Sequence, residues 1–382
     1  MKIVHVCLSG MYTIGWSYQE NLLTKYHHYL GYEVTMITSK WVYGENSKIK
    51  KTNKMMEDDG GVKVVRLNIK NDKNINSKFK RYENLYKTLE FENPDILFIH
   101  GCQFLDIKII CQYLKKHNVT VYVDNHADFS NSATNFVSRY FLHRIVWRYC
   151  AQLINPYVTK FYGVLPSRVD FLISEYKLPK EKVELLVMGL DDRLADEIKE
   201  KLNFSIEREK IGVKNDEFVI VTGGKIDLSK QQTLSLMKYV NESNMNIKLL
   251  IFGSVVDELV EKFNSLLSEK IIYLGWLDQS ETIKYCLLSD LAVFPGRHSV
   301  IWEQVCGLGI PMVVKDWSGT HHIDMQGNAI FLKKDSDLES TLSKLLNDSE
   351  KIKEMKKIAN ENKQNFYYSS IAKKSINKEK KR

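Results

Sequence analysis

Residues 294–311 read FPGRHSVIWEQVCGLGIP, and this stretch decides how the second half of the chain folds. It follows an apolar run, turns at Pro295-Gly296, and continues as a short helix that closes with glycines before Pro311. A strand that leads into a helix N-terminus creates an anion site, because the first amides have no partner inside the helix and the helix dipole favours negative charge. The stretch therefore predicts a ligand-binding edge of an α/β sheet.

The side chains at the start of this helix favour a diphosphate as the ligand. Arg297, His298 and Ser299 supply donors beside the free amides, which extend to Val300. Glu303 follows one turn into the helix, where it is placed to accept hydrogen bonds from sugar hydroxyls. The alternative interpretation is an ordinary strand-to-helix connection around a buried glutamate.

Length and composition indicate a protein of two or three domains with anionic partners. The chain has 382 residues, of which 44% are hydrophobic, so it has enough apolar material for separate cores. Its formal net charge of +8 favours anionic ligands but is too small to call for nucleic acid.

Cysteine usage and hydropathy predict a cytoplasmic protein. The six cysteines lack metal-ligand spacing and lie mostly in apolar runs, so we expect reduced, buried thiols. The strand predicted from Ile3 is too short and too polar for a signal peptide, and no apolar segment reaches the roughly 20 residues that span a bilayer. We expect any membrane contact to be peripheral, at the inner face of the cell membrane.

Strands and helices alternate twice along the chain, which predicts two Rossmann-like domains with parallel sheets. The first series occupies residues 1 to about 190, and the second begins near Phe218. Gly10 and Gly15 allow close backbone approach in the first strand-to-helix loop. The loop lacks the GxGxxG pattern, which disfavours a nicotinamide cofactor.

Two strands of the first series end in histidine-containing turns. His100 and His126 follow the apolar runs at residues 96–99 and 119–123. Because the carboxyl ends of parallel strands meet at one edge of a sheet, we expect both turns at the ligand edge. His126 is the stronger candidate for a substrate contact.

Residues 135–149, NFVSRYFLHRIVWRY, predict an amphipathic helix of unusual composition. At 100° per residue its inward face should carry five apolar side chains: Phe141, Leu142, Ile145, Val146 and Tyr149. The opposite face combines basic residues with aromatic rings: Phe136, Arg139, Tyr140, His143, Arg144, Trp147 and Arg148. Such a face suits a membrane interface or a lipid phosphate, and equally a helix packed against another domain.

Three strand ends of the second series combine glycines with cations. Gly223-Gly224 precede Lys225, Lys230 follows five residues later, and Gly253 opens another strand end. Two ammonium groups beside a helix N-terminus would neutralise a leaving diphosphate. The pattern does not match the GxxxxGK[ST] phosphate loop.

Together, these features resemble the GT-B glycosyltransferases, most closely glycosyltransferase family 4. The resemblance rests on the two Rossmann-like halves, the first glycine loop with residues 15–21, and the Pro-Asp strand of residues 93–100 that ends in histidine. It also rests on Lys225 and Lys230 in the position of a basic pair, and on the run from Glu303 to Pro311.

The resemblance implies a GT-B fold in which two parallel sheets face a cleft. Residues 1–195 would bind the acceptor and residues 196–365 the nucleotide-sugar donor, and residues 366–382 would form a terminal helix or tail that crosses back to the first domain. The donor site would comprise these residues: Gly15, Gly223, Gly224, Gly253, Leu277, His298, Ser299, Val300 and Glu303. The acceptor or membrane side would comprise Glu20, Arg139, Arg144, Trp147 and Arg148.

The implied reaction is transfer of a sugar from a nucleotide-diphosphate-sugar, of which a UDP-sugar is expected, with retention at the anomeric carbon. The acceptor would be a glycan or lipid-linked molecule of cell-surface polysaccharide synthesis. Lys225 and Lys230 would stabilise the diphosphate, Glu303 would hold the ribose, and His126 would contact the donor sugar. No metal or other cofactor is expected, because lysines and helix amides neutralise the charge.

One departure from the family pattern concerns the donor sugar. Members carry two glutamates separated by seven residues, and the first position falls here on Pro295, with His298-Ser299 nearby. Two other functions fit the same fold: a nucleotide-sugar epimerase, and a non-catalytic nucleotide-sugar-binding protein in which His126 is dispensable.

Overall fold

The computed structural model describes residues 1–44, 48–70, 79 and 81–377. The chain divides into two compact units, unit 1 with Met1–Val187 and Ile371–Arg382, and unit 2 with Met188–Ser370. The division at Val187 precedes the predicted one at residue 195, because the charged stretch after Met188 folds as helices of unit 2. The terminal segment predicted as residues 366–382 divides at Ile371, and its later part belongs to unit 1.

Unit 1 is built on an eight-stranded sheet whose strands are parallel except at one edge. Its strands are β1 (Lys2–Cys7), β2 (Glu33–Ser39), β3 (Trp41–Tyr43), β4 (Ile49–Lys51), β5 (Met56–Asp59), β6 (Val62–Leu67), β7 (Ile96–His100), β8 (Thr120–Asn125), β9 (Val158–Gly163) and β10 (Val183–Leu185). The order across the sheet is β10-β9-β8-β7-β1-β2-β6-β5, while β3 and β4 form a separate antiparallel pair. The central strands are apolar on both faces, as expected where helices cover both sides.

Helices of unit 1 cover this sheet. They are α1 (Gln19–Tyr29), α2 (Leu85–Glu92), α3 (Ile107–Leu114), a π-helix (Val137–Trp147), α4 (Arg148–Ile154) and α5 (Pro166–Ser174). Short 3₁₀ turns follow at Asn155–Tyr157 and Lys180–Lys182.

Unit 2 has a six-stranded sheet in which every pairing is parallel. Its helices before and between the strands are α6 (Asp192–Lys201), α7 (Phe204–Lys210), α8 (Gln232–Glu242), α9 (Asp257–Ser265), α10 (Gln279–Leu287), α11 (Ile301–Leu308), α12 (Asp337–Leu346) and α13 (Ser349–Asn362). Its strands are β11 (Phe218–Gly223), β12 (Ile247–Phe252), β13 (Ile271–Tyr273), β14 (Leu291–Phe294), β15 (Met312–Lys315) and β16 (Ala329–Leu332). The order is β13-β12-β11-β14-β15-β16, with 3₁₀ turns at Leu228–Lys230, His321–Ile323 and Lys363–Phe366.

The predicted α/β class with parallel sheets is therefore confirmed for both units. The reversal of strand order beside β11 places a topological switch point between β11 and β14, where ligands of doubly wound sheets bind. A final helix, α14 (Tyr368–Ser375), contains the point at which the chain passes from unit 2 to unit 1.

The helix predicted over residues 135–149 is mainly a π-helix. Of its predicted inward face, Leu142 and Val146 are partly buried against the main core, but the other three positions are wrong. Phe141, Ile145 and Tyr149 are 52%, 59% and 61% exposed, whereas His143 and Trp147 are buried. A π-helix joins residues five apart, so it turns less per residue than the 100° that the prediction assumed. The buried face therefore follows a different set of positions.

All six cysteines are free and buried, as the sequence predicted. Burial raises the pKa of Cys286 to about 12, which keeps this thiol protonated and unreactive. Within the described ranges, no helix combines the length and the apolar character that crossing a bilayer requires.

Candidate functional site

A depression in unit 2 opens where β11 and β14 end. It holds about 220 Å³ of space that includes open solvent. Its lining includes Thr222, Gly223, Lys230, Thr233, Gly296, Arg297, Ser299 and Trp302. The structure thus brings Gly223 and Lys230 together with Ser299, although Ser299 lies about 70 residues further along the sequence.

Glycines place Lys230 in this depression. A Cβ on Gly224 would lie 3.1 Å from Lys230 Nζ, so the missing side chain leaves room for the ammonium group. A Cβ on Gly296 would lie 2.9 Å from Lys230 Cα, so the turn after β14 packs directly on the lysine backbone. Burial lowers the pKa of Lys230, and the nearby Arg297 guanidinium lowers it further against the opposing effect of Asp227. Two cations that repel each other in a partly buried site favour an anionic ligand.

Two polar atoms in the lining lack partners. Ser299 Oγ and Trp302 Nε1 are buried and make no hydrogen bond within the described part of the chain. A buried donor without a partner costs stability unless a ligand or water completes it. The hydroxyl, the indole N–H and the cation of Lys230 together form a set of donors suited to phosphate oxygens.

Glu303 is fully buried behind the depression and holds two histidines. Its Oε1 accepts hydrogen bonds from His298 Nε2 at 2.9 Å and from His322 Nε2 at 3.0 Å. Burial by itself would raise the pKa of Glu303, but the two imidazoles outweigh it and lower the value to about 2. Its Oε2 is buried and makes no hydrogen bond among the described residues. This arrangement matches the alternative of a buried glutamate, because neither carboxylate oxygen of Glu303 reaches the surface.

His322 is a site residue that the sequence analysis missed. It lies in the 3₁₀ turn His321–Ile323, far along the chain from Glu303. The only signal was the pair His321-His322 after a strand, which carries no information about Glu303. His298 packs edge-on against Trp302, which lines the depression, with ring centroids 4.9 Å apart. His322 is connected to this region through Glu303 Oε1.

The other predicted donor residues of unit 2 do not line the depression. Lys225 is exposed, and so is Val300, which directly precedes α11. Gly253 packs against Gly224, since a Cβ there would lie 2.0 Å from the Gly224 carbonyl oxygen. Leu277 is half-buried in the segment after β13.

In unit 1, His126 lies at the end of β8 beside a buried carboxylate. Its Nε2 is 3.6 Å from Asp124 Oδ2, and 40% of its side chain is exposed. Enclosure of the ring opposes protonation, but Asp124, with a smaller contribution from Glu20, outweighs it and raises the pKa of His126. Asp124 Oδ2 also accepts a hydrogen bond from His100 Nδ1 at 2.8 Å. The predicted pair of histidine turns thus shares one carboxylate.

The loop with Gly15 is tied to the edge of the same sheet. Asp59 accepts hydrogen bonds from Tyr12 Oη at 2.6 Å and from the Gly15 amide at 3.3 Å. Gly15 has φ +76°, which favours glycine, and nothing lies within 4 Å of the position that a Cβ would take. Gly15 is therefore a turn residue, and the space beside it is unoccupied by other described residues.

The basic residues of the π-helix region are mostly engaged within unit 1. Arg144 Nε donates to Glu175 Oε2 at 2.6 Å, and Arg139 lies over the Phe129 ring with its guanidinium carbon 4.2 Å from the centroid. Arg148 Nε donates to the Glu175 carbonyl. Trp147 packs into the main core, so the prediction that it lies on the face opposite the core is wrong.

Comparison by sequence gives one relative of limited extent. No family model matches the chain. An uncharacterised 41.2 kDa protein in the cps region of Klebsiella pneumoniae is 24% identical over 238 residues. The match covers 60% of this chain and 61% of that protein, so the chain spans about three fifths of this relative.

Comparison by structure gives matches over the whole chain. A glycosyltransferase from Rickettsia africae has a TM-score of 0.69 at 14% identity, covering 98% of this chain and 96% of that one. HepE from Anabaena, solved in complex with UDP, has a TM-score of 0.66 at 14% identity and 98% coverage of both chains. The UDP-GlcNAc 2-epimerase from Neisseria meningitidis, bound to UDP-GlcNAc, has a TM-score of 0.59 at 14% identity and 98% coverage of both chains. At these identities the likeness concerns the fold, and the chain has the fold of the GT-B glycosyltransferases.

Proposed function

We propose that this protein is a retaining glycosyltransferase that moves a sugar from a UDP-sugar to a glycan or lipid-linked acceptor in cell-surface polysaccharide synthesis. The observation that carries the proposal is the cationic depression of unit 2, with Lys230 and Arg297 beside the unpartnered Ser299 hydroxyl and Trp302 indole N–H. HepE, which shares the fold, binds UDP. The cps-region relative supports the polysaccharide context.

In the proposed reaction the depression holds the diphosphate. Lys230 and Arg297 neutralise the charge that develops on the leaving group, and the donors of Ser299 and Trp302 bind phosphate oxygens. Cationic side chains in this role make the proposed transfer metal-independent. Lys225 is exposed and does not line the depression, so its proposed contribution to donor binding is from outside the depression.

His126 is proposed to contact the donor sugar. Asp124 and Glu20 both favour its protonated form, so the imidazolium can donate a hydrogen bond to a sugar oxygen or stabilise negative charge on the leaving group. The raised pKa of His126 means that this donor persists further into neutral pH than an ordinary histidine would.

Calorimetric titration with UDP tests the donor site. We expect Lys230→Ala to weaken UDP binding by about 10-fold or more, because a charge-assisted hydrogen bond contributes roughly 1.5–3 kcal/mol. Lys262→Ala, on an exposed face of α9, is the matched control and should leave the affinity unchanged. Equal UDP affinity in the wild type and Lys230→Ala would remove the basis of the donor site.

Incubation with labelled UDP-sugars and lipid-linked acceptors tests the reaction. A product with a new glycosidic bond supports transfer, whereas an isomerised donor supports an epimerase. UDP binding without any product supports a non-catalytic nucleotide-sugar-binding protein.

We also propose that unit 1 contacts a membrane surface through the exposed side of the π-helix region. Residues 135–149 contain no acidic side chain, and the exposed apolar residues there form one group: Phe136, Val137, Tyr140, Phe141, Ile145 and Tyr149. Arginines beside an apolar face are typical of proteins that bind at an anionic bilayer. A lipid-linked acceptor would be reached from this position.

Cosedimentation with vesicles tests this contact. Replacing Phe141 and Ile145 by serine should reduce binding to vesicles that contain anionic lipid, because it removes apolar area that would insert at the interface. Phe91→Ser, which changes a 79% exposed ring elsewhere in unit 1, is the control. Undiminished cosedimentation of the double variant would contradict the membrane contact.

A further inference from the structure

Three buried histidines of unit 1 form a continuous chain of hydrogen bonds. His5 Nδ1 lies 2.9 Å from His100 Nε2, and His5 Nε2 lies 2.9 Å from His27 Nδ1. His5 comes from β1, His27 from α1 and His100 from β7, and all three side chains are buried. We call these residues the histidine trio.

Both ends of the histidine trio meet hydrogen-bond acceptors. At one end, His100 Nδ1 lies 2.8 Å from Asp124 Oδ2. At the other end, His27 Nε2 lies 3.1 Å from the Ala372 carbonyl oxygen and 2.9 Å from Ser375 Oγ. The carboxylate and the carbonyl can only accept, so each end requires an N–H on the histidine.

Two end contacts, with Asp124 and with the Ala372 carbonyl, and two ring-to-ring contacts determine how many N–H groups the trio needs. Each end contact needs one N–H, and each of the two ring-to-ring contacts needs one N–H and one lone pair. Three neutral imidazoles carry three N–H groups, whereas the four contacts require four. With an N–H at each end, the trio would carry one proton more than three neutral rings.

The Ser375 hydroxyl offers an alternative donor to His27, but its hydrogen has another acceptor. Ser375 Oγ lies 2.9 Å from the Ala372 carbonyl oxygen. If the hydroxyl donated to His27 instead, the Ala372 oxygen would face a nitrogen lone pair at 3.1 Å and lose its donors from both groups. The protonated arrangement satisfies all of these contacts together.

The extra proton belongs on the ring next to Asp124. Burial lowers the pKa of His5 well below its usual value and that of His27 to about 4, and charge on neighbouring rings adds to the effect. Burial would raise the pKa of Asp124, but His100 and His126 outweigh it and hold the carboxylate ionised. A buried anion beside His100 stabilises the imidazolium there more than at the two more distant rings.

The surroundings of the trio are mainly aromatic. Phe98 stacks on His5, with ring centroids 5.3 Å apart, and Tyr32 meets His27 edge-on at 6.4 Å. The charged groups nearby affect the pKa of His126, which lies beside Asp124. Asp124 and Glu20 from α1 raise this pKa, and Arg168 from α5 lowers it.

We propose that the histidine trio stores one shared proton, as an imidazolium on His100 paired with Asp124, and thereby positions the carboxylate that supports His126. His5, His27 and His100 are then positioning residues, and their role toward His126 rests on the proposed function. Through Ala372 and Ser375 the same chain of hydrogen bonds anchors the C-terminal segment of unit 1.

Nitrogen-15 NMR of the full chain with labelled histidine tests the proton count directly. At pH 7.5 we expect His100 with both ring nitrogens protonated, and His5 and His27 as neutral rings protonated at Nε2. Three neutral rings protonated at Nδ1, the pattern with a donating Ser375, would overturn the proposal. Signals are assigned by single His→Gln substitutions.

Two variants sharpen the test. Ser375→Ala should leave the wild-type pattern unchanged, because His27 still donates to the Ala372 carbonyl. Asp124→Asn should abolish the imidazolium signal at the same pH, because the anion that stabilises it is gone. Loss of the imidazolium pattern in Ser375→Ala, or its persistence in Asp124→Asn, would each contradict the proposal. If a variant does not fold, the wild-type spectrum alone tests the proposal.

A functional readout separates this inference from the proposed reaction. His100→Asn retains an N–H for Asp124 but cannot carry the charge, so we expect a lower kcat with a shifted pH profile and unchanged UDP affinity. The NMR pattern holds whether or not the protein transfers sugars. If the protein transfers sugar but its spectrum shows three neutral rings, the shared proton is contradicted and the proposed function stands. If the spectrum shows the predicted pattern but the protein transfers no sugar, the proposed function is contradicted and the shared proton stands.

Discussion

The ammonium group of Lys230 lies close to Gly224, so a Cβ at Gly224 would push Lys230 Nζ away by a few tenths of an ångström. Gly224 has φ +105°, a conformation that side chains rarely adopt. Gly212 has φ +74° as well, but nothing lies within 4 Å of the position of its missing Cβ. The two glycines therefore separate the effect of backbone strain from the effect of displacing Lys230.

We predict that Gly224→Ala weakens UDP binding by a factor of about 2–5, whereas Gly212→Ala does not change it. Both substitutions should cost roughly 1–2 kcal/mol of stability, because each forces alanine into the left-handed region. Calorimetric titration and urea denaturation measure the two quantities. Equal UDP affinities in both variants would show that Gly224 has no part in placing the lysine.

At the same scale, Glu303 links stability to pH. Its pKa of about 2 in the folded protein lies below the usual 4.5, so the carboxylate stabilises the fold above about pH 4.5. This contribution, on the order of 3 kcal/mol, should be lost as the pH falls from about 4.5 towards 2. Urea denaturation at pH 7 and pH 3 measures it, with Glu303→Gln as the comparison.

The variant should be less stable than the wild type at pH 7, because His298 and His322 lose a charged acceptor. The difference should shrink at pH 3. A constant difference across this range would mean that the carboxylate is not the ionised partner of the two histidines.

At the scale of elements, the π-helix decides which side chains of residues 137–147 face the core. Trp147 is 3% exposed and packs in the main core of unit 1, whereas Phe141 is half exposed. The two aromatic residues are six positions apart in one helix, so they differ mainly in burial.

We predict that Trp147→Ala costs about 3–5 kcal/mol of stability, because it leaves a cavity in the core. Phe141→Ala should change stability by no more than about 0.5 kcal/mol. Urea denaturation of the full chain compares the two. A larger cost for Phe141→Ala than for Trp147→Ala would indicate that the helix turns as the regular amphipathic pattern predicted.

At the scale of the whole molecule, the chain ends in the unit where it began. Ile371, Ala372 and Ile376 are buried, and Lys374 Nζ donates to the Leu185 carbonyl at 2.8 Å. Unit 1 is therefore built from two separated segments, whereas unit 2 is continuous in sequence.

We predict that ending the chain after Ser370 destabilises unit 1 and spares unit 2. The cut removes apolar side chains from the core and leaves His27 without its acceptors. Amide hydrogen exchange should accelerate in β1 and α1 and stay unchanged in β11 and β12. Equal acceleration in both sheets would show that the terminal segment stabilises the chain as a whole.

The sequence by itself determined the local elements and the place of the ligand edge. Apolar runs such as residues 218–222 and 291–294 identify buried parallel strands, because both of their faces are covered. The turns after these strands then had to lie at carboxyl ends of a sheet, and this located Lys230 and Ser299 before their distance was known.

Only the tertiary structure decided which distant residues meet. Glu303 and His322 are 19 residues apart, and His27 and Ser375 are 348 residues apart. A local pattern reports the period of an element, whereas these contacts depend on how separate elements pack. The π-helix shows the same limit, because a change in helical period turned Trp147 inward and Phe141 outward. Burial then set the charges, since an imidazole or a carboxylate removed from water takes the protonation state that its new neighbours stabilise.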